Sequence, residues 1–318
     1  MKNINRTISI APMMDYTDKH FRYFMRILHP QILLYTEMIT TKAILYGNHL
    51  KLLSYSNSEH PLALQLGGSD PKELAKCCEI ANQYNYDEIN LNVGCPSSKV
   101  QSGKFGVCLM KEPETVAECV NAMQQVATAA ITVKTRIGVD ELDSYADLCN
   151  FISIVKQTDC RCFIIHARKA WLNGLSPKEN RQIPPLKYSV VYALKQDFPE
   201  LEIIINGGIN SIDQVQQHLQ HTDGVMVGRQ ACKQPFFMAE LGNKFLSRHK
   251  ITPKTAIKKY IPYMQSQIAD GTRITPLIKP ILGLNNGEQG AKKWRQFICT
   301  NTKKPTDLIQ YLYDYSNS

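Results

Sequence analysis

The chain has 318 residues, 43% of them hydrophobic, which is enough for one large core or for one core and a small second domain. Its 37 Lys and Arg outnumber its 28 Asp and Glu, and residues 245–318 alone hold twelve basic and four acidic side chains. The excess therefore sits in the last quarter and points to a polyanionic partner, with a solvated lysine-rich helix face as the plainer alternative. No run approaches the roughly 18 apolar residues of a membrane helix. Met1 to Arg6 lack an apolar export core, and the ten scattered cysteines lack the spacing of a metal knuckle. A reduced, cytoplasmic, metal-free chain is expected, off the membrane and monomeric.

In chain order, short runs rich in β-branched residues alternate with helical spacing. The runs are Ile8–Ala11, Ile32–Tyr35, Leu62–Leu66, Ile89–Asn92, Ile131–Lys134, Phe163–His166, Ile203–Asn206 and Val225–Val227. Between them, Pro71 to Ala81 has helical periodicity with Ser69 or Asp70 as N-cap, and Ser211 to Leu219 reads similarly. Eight β-α units in about 240 residues predict an α/β fold, a (β/α)8 barrel. A doubly wound sheet is disfavoured, because no G-x-G-x-x-G follows the first strand. A Lys- and Thr-containing linker near Phe245 to Pro253 precedes a new helical pattern. The predicted division is a barrel over residues 1–245 and a small all-α domain over 246–318.

Barrel chemistry gathers at the carboxyl ends of the strands. Those ends carry Pro12, Met13, Met14 and Asp15, then Gln65, Asn92, Lys134 with Arg136, His166 with Arg168, Asn206-Gly207-Gly208 and Gly228-Arg229. Taken singly, each has a bland reading: a snorkelling lysine, a hydrogen-bonded core histidine, a turn. The loop Gly94-Cys95-Pro96-Ser97 is more pointed. Gly94 is read as permitting an unusual backbone angle and Pro96 as fixing the next. A thiol in a polar loop at a strand end is a candidate reactive group, against the bland reading of a buried filler.

Loops after strands seven and eight of barrels commonly bind phosphate. Asn206 to Gly208 and Gly228-Arg229 offer bare N–H groups and a guanidinium for that purpose. Lys134 suits an anionic ring, and Gln65 has a donor and an acceptor for a heterocycle's polar edge. A phosphorylated heteroaromatic cofactor is implied, FMN being the best fit, because no side chain carries hydride.

On these motifs the chain resembles the tRNA-dihydrouridine synthases. The matching stretches are Ala11 to Met14, Gln65 to Gly68, Leu91 to Ser97, Lys134 to Arg136, His166 to Arg168, Asn206 to Ile209 and Asp223 to Arg229, and the segment Arg168 to Leu186 is similar to bacterial subfamily A. The resemblance covers nearly the whole chain. It implies tightly bound FMN, NADPH as co-substrate, and reduction of the C5–C6 bond of D-loop uridines in tRNA, with the subfamily A resemblance implying positions 20 and 20a. It also implies that Pro12, Met13, Met14, Gln65, Lys134, His166, Asn206, Gly207, Gly208, Gly228 and Arg229 hold the cofactor. Hydride then reaches C6 of the uracil, and Cys95 protonates C5, a thiol being acidic enough to give up its proton.

Asn92 either contacts the tRNA, as its family counterpart does, or caps the strand end. A buried target base must leave its stack to enter the mouth. Phosphate contacts are expected from Lys178 and Arg181 at the rim and from Lys292, Lys293 and Arg295, which share a helix with Trp294 and Phe297 on its other face. Trp294 either stacks on a base or fills the small domain's core. Two other readings stay open: a flavin barrel acting on a small molecule such as a free pyrimidine, and a silent RNA-binding barrel.

Overall fold

The computed structural model describes residues 4–301 and 304–317. Eight parallel strands form one sheet: β1 (Ile8–Ile10), β2 (Leu34–Thr40), β3 (Leu62–Gly67), β4 (Glu88–Val93), β5 (Ala130–Arg136), β6 (Cys162–His166), β7 (Glu202–Asn206) and β8 (Gly224–Val227). Their order runs β1-β8-β7-β6-β5-β4-β3-β2. The ends of that order meet: Ile10 N donates to Leu33 O at 3.0 Å and Leu33 N to Ile8 O at 3.2 Å, which closes the (β/α)8 barrel. Only the second run is displaced appreciably from the sequence reading. It pairs as Leu34–Thr40, with an irregularity between Tyr35 and Met38, because the polar Thr36-Glu37 pair interrupts the apolar pattern without ending the ladder.

Helices fill the crossovers: α1 (Lys19–Leu28), α2 (Pro71–Ala81), α3 (Pro113–Val126), α4 (Tyr145–Lys156), α5 (Tyr188–Asp197), α6 (Ile212–His218), α7 (Arg229–Lys233) and α8 (Phe236–Phe245). Asp70 starts α2, its side chain accepting from Glu73 N with Pro71 in the first turn. Ser211 does the same for α6 through Gln214 N. Alternation along the strands splits the apolar residues. Tyr35, Ala63, Ile164, Ile204 and Met226 form one buried cluster inside the barrel, while Leu64, Leu91, Val133, Ile165 and Ile205 belong to the larger core under the helices.

Four helices follow: α9 (Pro253–Ala269), α10 (Ile274–Ile278), α11 (Ala291–Thr300) and α12 (Pro305–Asn317). Trp294 of α11 is 2% exposed, and its Nε1 donates to Ile281 O at 2.9 Å, so it is a core residue. Phe297 stacks on Tyr311 of α12 with centroids 3.8 Å apart. Against the barrel, Tyr263 of α9 stacks on Tyr23 of α1 at 3.8 Å, and its hydroxyl meets His20 Nδ1 at 2.8 Å. Lys279 Nζ donates to Asp15 O in the loop after β1 at 3.2 Å, tying these helices to the barrel mouth. Among the described residues no helix is long and apolar enough to cross a membrane.

Candidate active site

Strands β4 and β5 set most of the mouth. Asn90 and Asn92 sit two apart on β4, and Thr132, Lys134 and Arg136 two apart on β5, with Asn90 paired to Thr132 and Asn92 to Lys134. That spacing turns every one of these polar side chains toward the barrel axis. Gln65 of β3 pairs with Asn90 and lies in the same row.

Asn92 caps the Cys95 loop: its Oδ1 accepts from Cys95 N at 3.0 Å and from Gly94 N at 3.2 Å. Its Nδ2 donates to Gln65 Oε1 at 2.9 Å, and Gln65 Nε2 donates to Asn90 Oδ1 at 2.8 Å. Gln65 thus offers a ligand only the amide hydrogen and the lone pair those bonds leave over. Cys95 is half-buried, with Sγ 3.6 Å from Ser97 Oγ. Gly94 does not take a positive φ, contrary to the sequence reading. The glycine this loop requires is Gly106, at φ +69, where a Cβ would come 2.6 Å from Cys95 O.

Arg136 locks the loop from below. It is 3% exposed; its Nε donates to Gly94 O at 2.8 Å, and one terminal nitrogen donates to Lys169 O and Asn180 O, each at 3.1 Å. Gln101 Nε2 spans the same junction, to Pro96 O at 3.0 Å and Leu172 O at 2.9 Å. The segment after β6 is therefore latched onto the cysteine loop. It is held internally by Asn180, whose Oδ1 accepts from Trp171 N at 2.8 Å, and by Arg168, which donates to Gln182 O and Pro184 O.

The remaining predicted residues converge on the same mouth. Lys134 Nζ lies 3.2 Å from Asn206 Oδ1, and Asn206 Nδ2 donates to Met226 O at 2.7 Å. Gly207 and Gly208 have φ of +123 and +71, and a Cβ on Gly207 would come 2.7 Å from the His166 ring. Only glycine leaves this backbone bare beside the imidazole. Gly228 precedes α7, and Arg229, exposed at its start, donates to Arg181 O at 3.1 Å. Pro12 and Met13 line the loop after β1, where Met13 N donates to Thr17 Oγ1 at 3.0 Å; Met14 is 55% exposed. Lys178 and Arg181 stand exposed on the segment after β6. Lys292, Lys293 and Arg295 are exposed on α11, apart from this cluster.

Electrostatically the mouth is one-sided. Burial pushes Lys134 down to about 7, with Arg136 adding to the effect. Burial likewise pulls Arg136 down to about 10. Burial, then Arg136, Lys134, Arg168 and Arg229, hold His166 well below its ordinary range, so its ring is neutral. Among the described residues no carboxylate forms a salt bridge with Lys134, Arg136, Arg168, Arg181 or Arg229. Five basic side chains with no salt-bridge partner among the described residues, beside two bare glycines, fit a phosphate-bearing anionic cofactor.

A family model described as dihydrouridine synthase matches residues 9–317. The chain belongs to the dihydrouridine synthase family. It is 54% identical over 305 residues to a tRNA-dihydrouridine(20/20a) synthase of Shewanella oneidensis, spanning 95% of this chain and 91% of the relative. Proteins of the same name from Synechocystis and from Escherichia coli O6:H1 are each 52% identical over 93% of this chain, and over 89% and 90% of their own lengths. A solved 2-naphthoyl-CoA reductase complex superposes with a TM-score of 0.59 over 76% of this chain and 50% of its own, at 8% identity, which bears on the fold alone.

Several residues of this family member's mouth escape a strand-end reading. Arg136 is visible in the sequence but not its grip on two loops. Asn180 lies in an irregular segment with no periodicity to mark it. Beneath the mouth, Asn90 and Thr132 sit inside their strands and Glu88 starts β4 at the opposite end of the barrel; only the alternation Glu88-x-Asn90-x-Asn92 hints that the β4 residues face inward.

Proposed function

We propose that this chain holds FMN in the barrel mouth and reduces uridines of the tRNA D-loop, at positions 20 and 20a, to 5,6-dihydrouridine, with NADPH as the electron source. The observation that carries the reading is the uncompensated cluster of Lys134, Arg136, Arg168, Arg181 and Arg229 around the Cys95 loop, in a chain more than half identical to a synthase of that name.

FMN would supply hydride to C6 of the uracil. The protein's own residues do the rest. Gly207, Gly208, Gly228 and Arg229 hold the phosphate, and Lys134 places positive charge against the ring. Pro12, Met13, Met14, Gln65, His166 and Asn206 shape the ring's pocket. Cys95 gives its Sγ proton to C5, and Asn92 and Arg136 hold the backbone on which that thiol stands. The uridine enters by leaving its stack.

In this reading residues 1–245 are the catalytic barrel and 246–318 a tRNA-binding helical domain. Lys178 and Arg181 at the rim and Lys292, Lys293 and Arg295 on α11 contact phosphates. The protein works as a cytoplasmic monomer. The test is direct: the purified protein carries FMN, NADPH bleaches it, and unmodified folded tRNA restores the colour while free uridine does not. A protein that purifies without flavin and takes up no added FMN would refute the reading. Reoxidation by free uridine as fast as by tRNA would shift it to a small-molecule reductase.

A further inference from the structure

We propose that Glu88, Thr132 and Asn90 are positioning residues, forming with Gln65 and Asn92 a one-way hydrogen-bond chain through the barrel interior that fixes the Cys95 loop. Its catalytic consequence rests on the function proposed above; its existence does not.

The chain can be followed atom by atom. Cys95 N–H donates to Asn92 Oδ1 at 3.0 Å, Asn92 Nδ2 to Gln65 Oε1 at 2.9 Å, and Gln65 Nε2 to Asn90 Oδ1 at 2.8 Å. Asn90 Nδ2 donates to Thr132 Oγ1 at 2.8 Å, and Thr132 Oγ1 to Glu88 Oε1 at 2.6 Å. Glu88 is fully buried at the start of β4. Its Oε1 also accepts from Tyr35 OH at 2.6 Å, and its Oε2 from Arg6 Nε at 2.7 Å. Arg6 in turn reaches Glu202 at 2.7 Å, so the carboxylate is anchored at the far end of the barrel from the mouth.

The direction of every link follows from the two ends. A carboxylate paired with arginine can only accept, so the single hydroxyl proton of Thr132 must point at Glu88. Thr132 can then only accept from Asn90, which turns the Asn90 oxygen toward Gln65, and so on to Asn92. At the other end a backbone N–H can only donate, which demands the Asn92 oxygen. Reversing any one of the three amides would set donor against donor and acceptor against acceptor among groups with 0–8% exposure. Amide orientation is therefore dictated by bonding rather than by fit. Strand register makes this possible, because Gln65, Asn90 and Thr132 are cross-strand partners in one row.

This role goes beyond core filling. Gln65 meets the mouth with one fixed amide hydrogen and one fixed lone pair, and the Cys95 backbone is tied to a charge five links away. The isosteric change Thr132→Val removes the hydroxyl and keeps the shape. It leaves Asn90 Nδ2 without its acceptor, and the disturbance must reach Cys95, which Thr132 does not touch.

The experiment is amide exchange by NMR on the FMN-free protein. Thr132→Val should speed exchange of the Cys95 backbone amide roughly ten- to hundred-fold, and Thr132→Ser, which keeps the hydroxyl, should restore it. Unchanged Cys95 exchange in Thr132→Val would overturn the proposal, as would equal acceleration in Thr132→Ser. If Thr132→Val does not fold, the wild-type protein still decides. One amide proton each of Gln65, Asn90 and Asn92 should be protected, and rapid exchange of both Gln65 protons would overturn the chain. In the FMN-loaded enzyme, Thr132→Val should lower kcat on tRNA about tenfold with KM unchanged, and Thr132→Ser should recover it. Wild-type kcat in Thr132→Val would remove the positioning role. A wild-type enzyme inert on tRNA would instead defeat the proposed function, while the exchange result stands by itself.

Discussion

In the barrel mouth, Arg136 spends its hydrogen bonds on Gly94, Lys169 and Asn180, and Lys134 lies against Asn206; neither is free to move. On α11, Lys292 and Lys293 project into solvent, and Arg295 does little more than lean on Asn286. Both regions are cationic, but the physics differs. Burial without an ion-pair partner puts Lys134 and Arg136 under a desolvation penalty that an anionic ligand relieves, so each acts strongly and through its neighbours. The α11 cations are exposed, hence hydrated, screened by salt and nearly independent; toward a polyanion such charges would add affinity without fixing its geometry. A cofactor and a reacting base need the first kind of site. A folded RNA that must be gripped over a wide surface needs the second.

The sharpest way to break this contrast is to change Cys95, on the loop the mouth immobilises. Cys95→Ala should leave flavin reduction by NADPH near its normal rate and slow reoxidation by tRNA about 10²–10⁴-fold. Cys95→Ser should not rescue it, because a hydroxyl is a far weaker acid. Stopped-flow traces of flavin colour separate the two steps. Reoxidation at the wild-type rate would make Cys95 a filler thiol.

A smaller effect follows from Lys134. Its folded value of about 7 lies below its ordinary 10.5. Between those limits the unfolded chain binds more protons than the folded one, so Lys134 makes the FMN-free protein more stable as pH rises from about 7 to 10.5. FMN binding has the opposite sign. The anion favours charged Lys134 and must draw in a proton, so affinity should fall by up to about tenfold per pH unit above pH 7. Titration calorimetry between pH 7 and 9 reads both the affinity and the proton uptake. Lys134→Met should weaken binding and flatten its pH dependence; an unaltered slope would show that Lys134 does not serve the cofactor.

The smallest effect per residue belongs to α11. Replacing Lys292, Lys293 and Arg295 together by Gln should reduce the log–log salt slope of tRNA binding by roughly 2–3 units. FMN content and NADPH oxidation should stay at wild-type values. A salt slope unchanged by the triple replacement would mean that α11 is merely a solvated face.

What the sequence discloses and what it withholds divide along the same line. Strand periodicity and turn residues expose the barrel, and strand ends expose Cys95, Lys134, His166 and Arg229, because local pattern alone brings those groups to one face. The excess charge of α11 is equally plain, since an exposed cation needs no partner to be recognised. The interior is harder to read. Glu88 and Thr132 matter through bonds to residues 44 positions apart in the chain, and only strand register creates such bonds. Gly106 looks like any loop glycine until the Cys95 carbonyl is seen against it, and Gly94, the more conspicuous of the two, carries no strain. Trp294 could have been a stacking platform or a core residue, and the acceptor at Ile281 decides for the core.

Mass spectrometry of tRNA from cells lacking this protein tests the central claim most directly. Dihydrouridine at positions 20 and 20a should disappear, return when the wild-type chain is restored, and stay absent with Cys95→Ala. Full dihydrouridine at both positions in cells that lack the protein, with no other synthase able to supply it, would contradict the account.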